Sequence, residues 1–247
     1  MIGLVCTYLN RQTELNKTLE SFKKYDPKDF FVVVVDDCSR EEVVLPELSF
    51  DVTVLKMKDK TWAIGDPAWN TGLAYALQKN PDIIIIQNAE CLHFGNILDY
   101  AKKITDETYI SFGCYSQARG EEPGSVINPK GATHDGESAW YNHPEFRPVA
   151  YHFCAAITAN NMRKLNGFDE RLCFGVGYDD DYLLHQIRCL GLRIEITSDP
   201  FVIHQWHEHT HYPGDEGTLF YQNRVLFEQL VKEHNYRAQH ILTPDLI

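Results

Sequence analysis

The sequence predicts an α/β fold in which a central, mostly parallel sheet is flanked by helices, within one domain covering residues 1–247. Three observations carry that prediction. Short runs of β-branched and aliphatic residues alternate with segments of helical periodicity through the first half, the pattern of strand–helix–strand units. The run over residues 30–35 is β-branched and has no polar interruption, as expected of a central parallel strand buried on both faces. The chain, 247 residues with 44% hydrophobic and 12% aromatic side chains, can build one large core, and it contains no internal repeat or low-complexity tract.

Element by element, residues 2–6 read as a buried strand. Residues 14–25 carry Leu15, Leu19 and Phe22 at helical spacing and form an amphipathic helix packed on it. Residues 30–35 make a β-branched central strand, and residues 52–55 a shorter third one. Residues 67–78, with Trp69, Leu73, Ala76 and Leu77 as the buried stripe, make the second helix, and residues 83–86 the fourth strand. A helix over 95–104 and a strand over 109–112 follow. Residues 113–148 are rich in Gly, Pro, Ser, Asn and His and read as one long loop, a length usually tied to function. Order resumes at 149–158, with helices at 161–165, 178–190 and 219–234 and strands at 193–197 and 201–204.

Charge narrows the partners. Lys and Arg total 23 against 35 Asp and Glu, a net of −12. Such a field repels phosphate backbones and anionic lipid, so nucleic acid and membrane surfaces are not expected partners. An anionic nucleotide would need a metal or a local cation to bind. The seven cysteines form no CxxC pair and their odd number argues against a disulfide framework. No apolar run approaches the roughly 20 residues of a transmembrane helix, and the N-terminus lacks a signal-peptide pattern. A cytoplasmic, reducing setting is the expectation, unless the chain is cut from a longer protein.

Each apolar run in the first half ends in a polar cluster, where open α/β sheets bind ligands. Thr7-Tyr8-Leu9-Asn10-Arg11 follows the first strand, Asp36-Asp37-Cys38-Ser39-Arg40 the second, and Gln87-Asn88-Ala89-Glu90-Cys91 the fourth. No GxGxxG follows the first strand, so a dinucleotide fold is not indicated. Three further segments stand out: Trp69-Asn70-Thr71-Gly72-Leu73-Ala74 opening a helix, Gly167-Phe168-Asp169-Glu170, and Gly175-Val176-Gly177-Tyr178-Asp179-Asp180-Asp181. Together, and in this order, these segments resemble the GT-A glycosyltransferases, within them the inverting family-2 enzymes and the β-1,4-galactosyltransferase-like group. The resemblance runs over most of the chain. It implies a GT-A fold with a nucleotide-binding half over 1–112 and an acceptor and catalytic half over 113–247.

The resemblance also implies roles. Asp37 would accept hydrogen bonds from the nucleotide base, flanked by Thr7 and Tyr8, with Asn10, Arg11 and Asn70 completing the nucleotide site; a simple turn cap is the alternative for Asp37. Asn88-Ala89-Glu90 stands where the family has Asp-x-Asp, which leaves Glu90 as the carboxylate for Mn²⁺ or Mg²⁺. A second ligand would come from the histidines of residues 204–211, with His204 in the best position and His207 next; the four histidines His204, His207, His209 and His211 together raise a zinc site as an alternative, although no cysteine lies nearby. Asp179 aligns with the catalytic base and Asp181 with the second acidic position, while capping of the helix is the alternative. Tyr178 replaces a family glutamate, so it and Asp180 fall at the acceptor. Trp140, with Tyr141, His143 and Tyr151, could stack on a sugar, and core packing explains them equally well.

The expected activity is metal-dependent, inverting transfer of a sugar from a nucleoside-diphosphate sugar to a carbohydrate or glycoconjugate hydroxyl. UDP sugars are the commonest donors in the resembling groups, with GDP sugars the other choice. A retaining transferase and a catalytically degenerate carbohydrate-binding protein are the competing readings, the latter motivated by Asn88 and Tyr178. A nucleotidyltransferase is disfavoured because the first strand turn lacks a basic Gly-rich loop.

Overall fold

The computed structural model describes residues 1–134, 136–208, 212 and 214–239. Strands β1 (Ile2–Tyr8), β2 (Phe30–Asp36), β3 (Val52–Lys56), β4 (Ile83–Asn88), β5 (Cys91–Phe94), β6 (Thr108–Ser116), β7 (Ala139–Asn142), β8 (Cys154–Thr158) and β9 (Arg193–His204) form one sheet. The order is β3-β2-β1-β4-β8-β6-β9-β5, with β7 paired to β6. The first four strands are parallel to one another. In the second half β8 joins β4 and β6 antiparallel while β6 and β9 run parallel. The parallel character expected from the alternating first half therefore belongs to that half, and the rest of the sheet is mixed.

Why the first half reads as uninterrupted apolar runs is visible in the core. Leu4, Cys6, Val32, Val34 and Ile85 face one hydrophobic layer, and Val5, Val33, Val35, Ile84 and Ile86 the other. Successive side chains of a strand point to opposite faces, so a strand covered on both sides must be apolar at every position. Helices α1 (Gln12–Ser21) and α3 (Ile97–Ala101) cover the first layer with Leu15, Leu19, Ile97 and Leu98. Helices α2 (Asp66–Gln78), α4 (Ala159–Leu165) and α5 (Asp179–Cys189) cover the second with Trp69, Leu73, Met162, Leu183 and Ile187. Helix α6 (Glu216–Leu230), the last α-helix among the described residues, buries Leu230 against Leu172 and Tyr182. Gly72 lets α2 sit directly on the sheet: a Cβ there would lie 2.6 Å from Val5 Cγ1 and 2.7 Å from Val35 Cγ2.

The structure corrects several boundaries. The expected long loop over 113–148 is shorter, because β6 continues to Ser116 and β7 lies inside it. A strand of four residues is too short to show a period, which is why β5 and β7 escape sequence reading. The two strands expected at 193–197 and 201–204 are one strand, β9, whose pairing with β6 jumps from Phe112↔Thr197 to Gly113↔Phe201. Ser198, Asp199 and Pro200 bulge out at that jump, and Pro200 offers no N–H to a ladder. The helix expected over 95–104 is limited to α3, and the one over 219–234 starts earlier, where Asp215 accepts from Thr218 N–H.

Candidate active site

Register aligns the polar strand ends. Tyr8 lies beside Asp36, and Thr7 beside Asn88. The result is a cleft of about 380 Å³ along the carboxyl edge of β1, β2 and β4, lined by Thr7, Tyr8, Arg11, Asp37, Lys60, Asn88, Glu90, His152, Asp179, Asp180 and Tyr212, among others. A neighbouring cavity of about 670 Å³ shares Arg11, Asn88, Glu90 and Tyr212, and adds His204, His207 and Tyr141. Three segments distant in sequence thus meet at one place, with Glu90 on the border between the two spaces.

Glu90 is brought to the imidazoles by β5. The ladder pairs Cys91 with His204, and Gln205 donates its N–H to the carbonyl of Glu90 at 3.0 Å. The buried Gln205 side chain also donates to Glu14 O, Thr18 Oγ1 and Glu90 O, which anchors this corner to α1. Glu90 Oε1 lies 2.7 Å from Arg11 Nη1, 3.2 Å from His204 Nε2 and 3.6 Å from His207 Nε2. Burial would raise the Glu90 carboxyl, but the charge of Arg11 and the His204 imidazole outweigh it and hold it well below the usual range. Burial and the Arg11 charge lower the His207 imidazole. The ligand atoms of Glu90, His204 and His207 all lie within 4.8 Å of one another, a hard-oxygen and borderline-nitrogen set that fits Mn²⁺. His209 and His211 lie outside the described residues.

Asp37 sits at the opposite end. It is buried, accepts from Trp62 Nε1 at 2.7 Å, and pairs with Lys60 Nζ. Burial raises its carboxyl and the Lys60 ammonium pulls against that shift. Lys60 and Trp62 come from the irregular segment between β3 and α2, where no periodicity marks a function.

Asp179 is presented by an unusual turn. Gly177 and Tyr178 both have positive φ, at 70° and 66°, so the chain swings sharply before α5 begins at Asp179. Glycine adopts this conformation freely and tyrosine does so at a cost, offset here by packing of the Tyr178 ring on Phe220 and Phe227. Burial first, then the neighbouring Asp180 charge, raise Asp179 to about 6, while the positive field of His152 works the other way. His152 is buried between Trp69 and Phe168, and its Nδ1 lies 2.5 Å from Asp180 Oδ1 as an ion-pair contact. Burial lowers the His152 imidazole, and the charge of Asp180 more than reverses this. Tyr212, on the border of both cavities, is raised by burial and by the charge of Asp179.

Other residues expected at the site are placed elsewhere. Asn10 shapes the first turn, donating its N–H to Ser39 Oγ and accepting from Arg40 N–H. Asn70 is buried and uses its amide on Phe168 N–H, Phe168 O and Glu170 Oε1, all at 2.8 Å. That tie locks α2 to the Gly-Phe-Asp-Glu turn. Trp140 packs against Tyr115, His143 and Phe201, away from the cleft. Asp181 accepts from Tyr151 Oη at 2.9 Å on the far side of the first turn of α5. Tyr178 packs under α6, as described. Lys60, His152 and Tyr212, which line the cleft, and Trp62, which donates to Asp37, carry no local signal in the sequence; only chain folding brings them there.

A nucleotide-sized cleft at the carboxyl edge of a half-parallel sheet, with a carboxylate–imidazole cluster and a helix-borne aspartate, belongs to the GT-A class of glycosyltransferases. Residues 4–156, more than half of the chain, match Glycosyl transferase family 2, and the chain belongs to that family. It is 39% identical over 57 residues to an uncharacterized glycosyltransferase of Haemophilus influenzae, a stretch covering 23% of this chain and 19% of that one. Among solved structures, TarS of S. aureus in complex with UDP superposes with a TM-score of 0.64 at 13% identity, covering 97% of this chain and 67% of TarS. The mannosyltransferase PcManGT of Pyrobaculum calidifontis, in complex with GDP-Man and Mn²⁺, gives 0.54 at 17% identity, covering 82% and 56%. The catalytic domain of Drosophila β1,4-galactosyltransferase 7, in complex with xylobiose, gives 0.53 at 13% identity, covering 90% and 79%. At these identities the structural likeness concerns the fold. All seven cysteines are free, and no helix among the described residues is long and apolar enough to cross a membrane.

Proposed function

We propose that this protein is an inverting, metal-assisted glycosyltransferase that moves a sugar from a nucleoside-diphosphate sugar, a UDP sugar in the first instance, to a hydroxyl of a carbohydrate or glycoconjugate. The observation that carries the reading is the shared cleft: Asp37 at one end, Glu90 at the other, and Asp179 and Asp180 on its wall. Family membership supports it, as do the nucleotides bound by the structural neighbours, UDP in TarS and GDP-Man in the mannosyltransferase.

In this reading the base of the nucleotide lies against Asp37, Thr7 and Tyr8. Glu90, His204 and His207 would hold a Mn²⁺ or Mg²⁺ ion, which supplies charge neutralisation to the diphosphate. Asp179, with a pKa of about 6, is mostly ionised at neutral pH and still basic enough to accept a proton. It takes the proton from the acceptor hydroxyl as that oxygen bonds to the anomeric carbon. The bond from the anomeric carbon to the diphosphate oxygen breaks, and the nucleoside diphosphate leaves with the electron pair. Asp180 and His152 hold the first turn of α5 in place through their ion pair.

A second reading is favoured by Arg11, whose guanidinium occupies the same Glu90 oxygen that a metal would use. There, the Arg11 guanidinium supplies the positive charge facing the diphosphate, and the two imidazoles donate hydrogen bonds to it, without a metal. Incubation with a panel of nucleotide sugars, with Mn²⁺ or with EDTA, separates the two, and NMR of the product anomer tests inversion. Release of nucleoside diphosphate from none of the donors under either condition would overturn the enzymatic reading in favour of a carbohydrate-binding protein.

A further inference from the structure

Outside the cleft, the described residues hold one more group of metal-ligating side chains. His185 and Cys189 are four residues apart on α5, so they stand on the same face one turn from each other. His234 follows the short 3₁₀ turn Val231–Glu233 that ends α6. One ligand atom from each of the three lies within 4.8 Å of the other two, and Cys189 Sγ is 3.4 Å from His185 Nε2. His234 is held in the left-handed region, with φ at 49°, while its N–H is retained by Val231 O. A non-glycine residue in that conformation is uncommon and is sustained only where its surroundings require it. Here it turns the chain back toward α5, and Gln186 Nε2 donating to Tyr236 O at 3.2 Å secures the return.

We propose that His185, Cys189 and His234 form a second metal site that takes Zn²⁺ and ties helix α5 to the segment after α6. Two imidazoles and one thiolate match a borderline divalent ion and not the oxygen-seeking Mg²⁺ or Ca²⁺. Three protein ligands leave one position for water. The site is partly open to solvent, so the ion can enter from outside. His185 and Cys189 lie on α5 and His234 lies beyond α6, so binding joins the helix carrying Asp179 at its first turn to the segment after α6. The inference does not depend on the proposed transfer reaction, because it uses none of the cleft residues.

Co²⁺ titration of the full chain tests it, since a cobalt–thiolate bond has a charge-transfer absorption that oxygen and nitrogen ligands lack. The expected result is a one-to-one band in the wild type and in Glu90→Gln, abolished by Zn²⁺ and by Cys189→Ser. His234→Ala should weaken Co²⁺ affinity about tenfold or more, and Zn²⁺ should raise the Tm of the wild type but not of Cys189→Ser. No thiolate band in the wild type, or an equal band in a folded Cys189→Ser variant, overturns the proposal. Circular dichroism checks that each variant folds; if Cys189→Ser does not, His185→Ala replaces it, and an undiminished affinity in that variant and in His234→Ala has the same overturning force.

Discussion

Arg11 donates from Nη1 to Oε1 of Glu90 at 2.7 Å, and this pair spans the boundary between the two cavities. It joins the turn after β1 to the turn after β4, and it sets the charge of the point where a diphosphate would lie. Removing the carboxylate while keeping its shape, Glu90→Gln, would strip the proposed metal cluster of its oxygen ligand. A loss of about 100-fold in kcat/KM, together with loss of Mn²⁺ stimulation, is expected from steady-state kinetics with and without metal. Unchanged Mn²⁺ dependence in Glu90→Gln would place the ion elsewhere.

Asp179→Asn keeps the size of the proposed base and removes its ability to take a proton. Turnover should fall by about 10²- to 10⁴-fold while calorimetric affinity for the nucleoside diphosphate stays within a few-fold of wild type. A variant that loses nucleotide affinity and keeps kcat would reassign Asp179 to donor binding.

The same residue predicts a pH profile. Asp179 is raised to about 6 by burial and by the Asp180 charge, against His152, and it works as a base only when ionised. The charged and titratable groups around it are Asp180, His152, Tyr212 and Asp66. As pH falls through about 6, kcat/KM should drop tenfold per unit, and the limb should vanish from the residual activity of Asp179→Asn. A flat profile between pH 5 and 7 would exclude this base.

Asp66 makes a stability prediction. Both of its carboxylate oxygens are buried without a hydrogen-bond partner among the described residues. Burial, followed by the charges of Asp179, Glu170, Asp169 and Asp180, raises it well above 3.8. The folded chain therefore binds a proton at Asp66 that the unfolded chain releases as pH rises above 3.8, so this group's contribution to stability declines from there up to its folded pKa. Asp66→Asn should flatten that decline, and the gain in Tm over wild type should be larger at pH 8 than at pH 5. Equal differences at both values would mean that the carboxyl is ionised in the folded protein.

Gly72→Ala tests the packing of α2. The added methyl would meet Val5 and Val35 inside normal contact distance, and both are fully buried strand residues. A loss of about 1–3 kcal/mol is expected in denaturant unfolding, the cost of overfilling a close-packed layer. No loss would show that α2 can lift from the sheet freely.

How much of this was legible beforehand varies from one segment to the next. The strand-end clusters around Asp37 and Glu90 and the acidic helix start at Asp179 stand out because each follows an apolar run or precedes a helical period. His204 and His207 stand out by density. Asn70 is legible as a motif, whereas the contacts of its amide with Phe168 and Glu170 emerge only in the fold. For Trp140 the sequence allows sugar stacking and core packing equally, and the structure packs it against Tyr115 and Phe201. Lys60, Trp62, His152 and Tyr212 had no signal, because a residue in irregular chain declares its neighbours only after folding.

By itself, then, the chain determined which segments become strands covered on both faces, that polar clusters follow them, and which acidic and imidazole groups those clusters carry. These follow from local periodicity, which acts over a few residues. Only the tertiary structure decided that Cys91 pairs with His204, that Gly177 and Tyr178 turn Asp179 into the cleft, and that Arg11 meets Glu90. Those relationships join residues far apart in the chain, and they are set by sheet register and core packing, which local sequence does not encode.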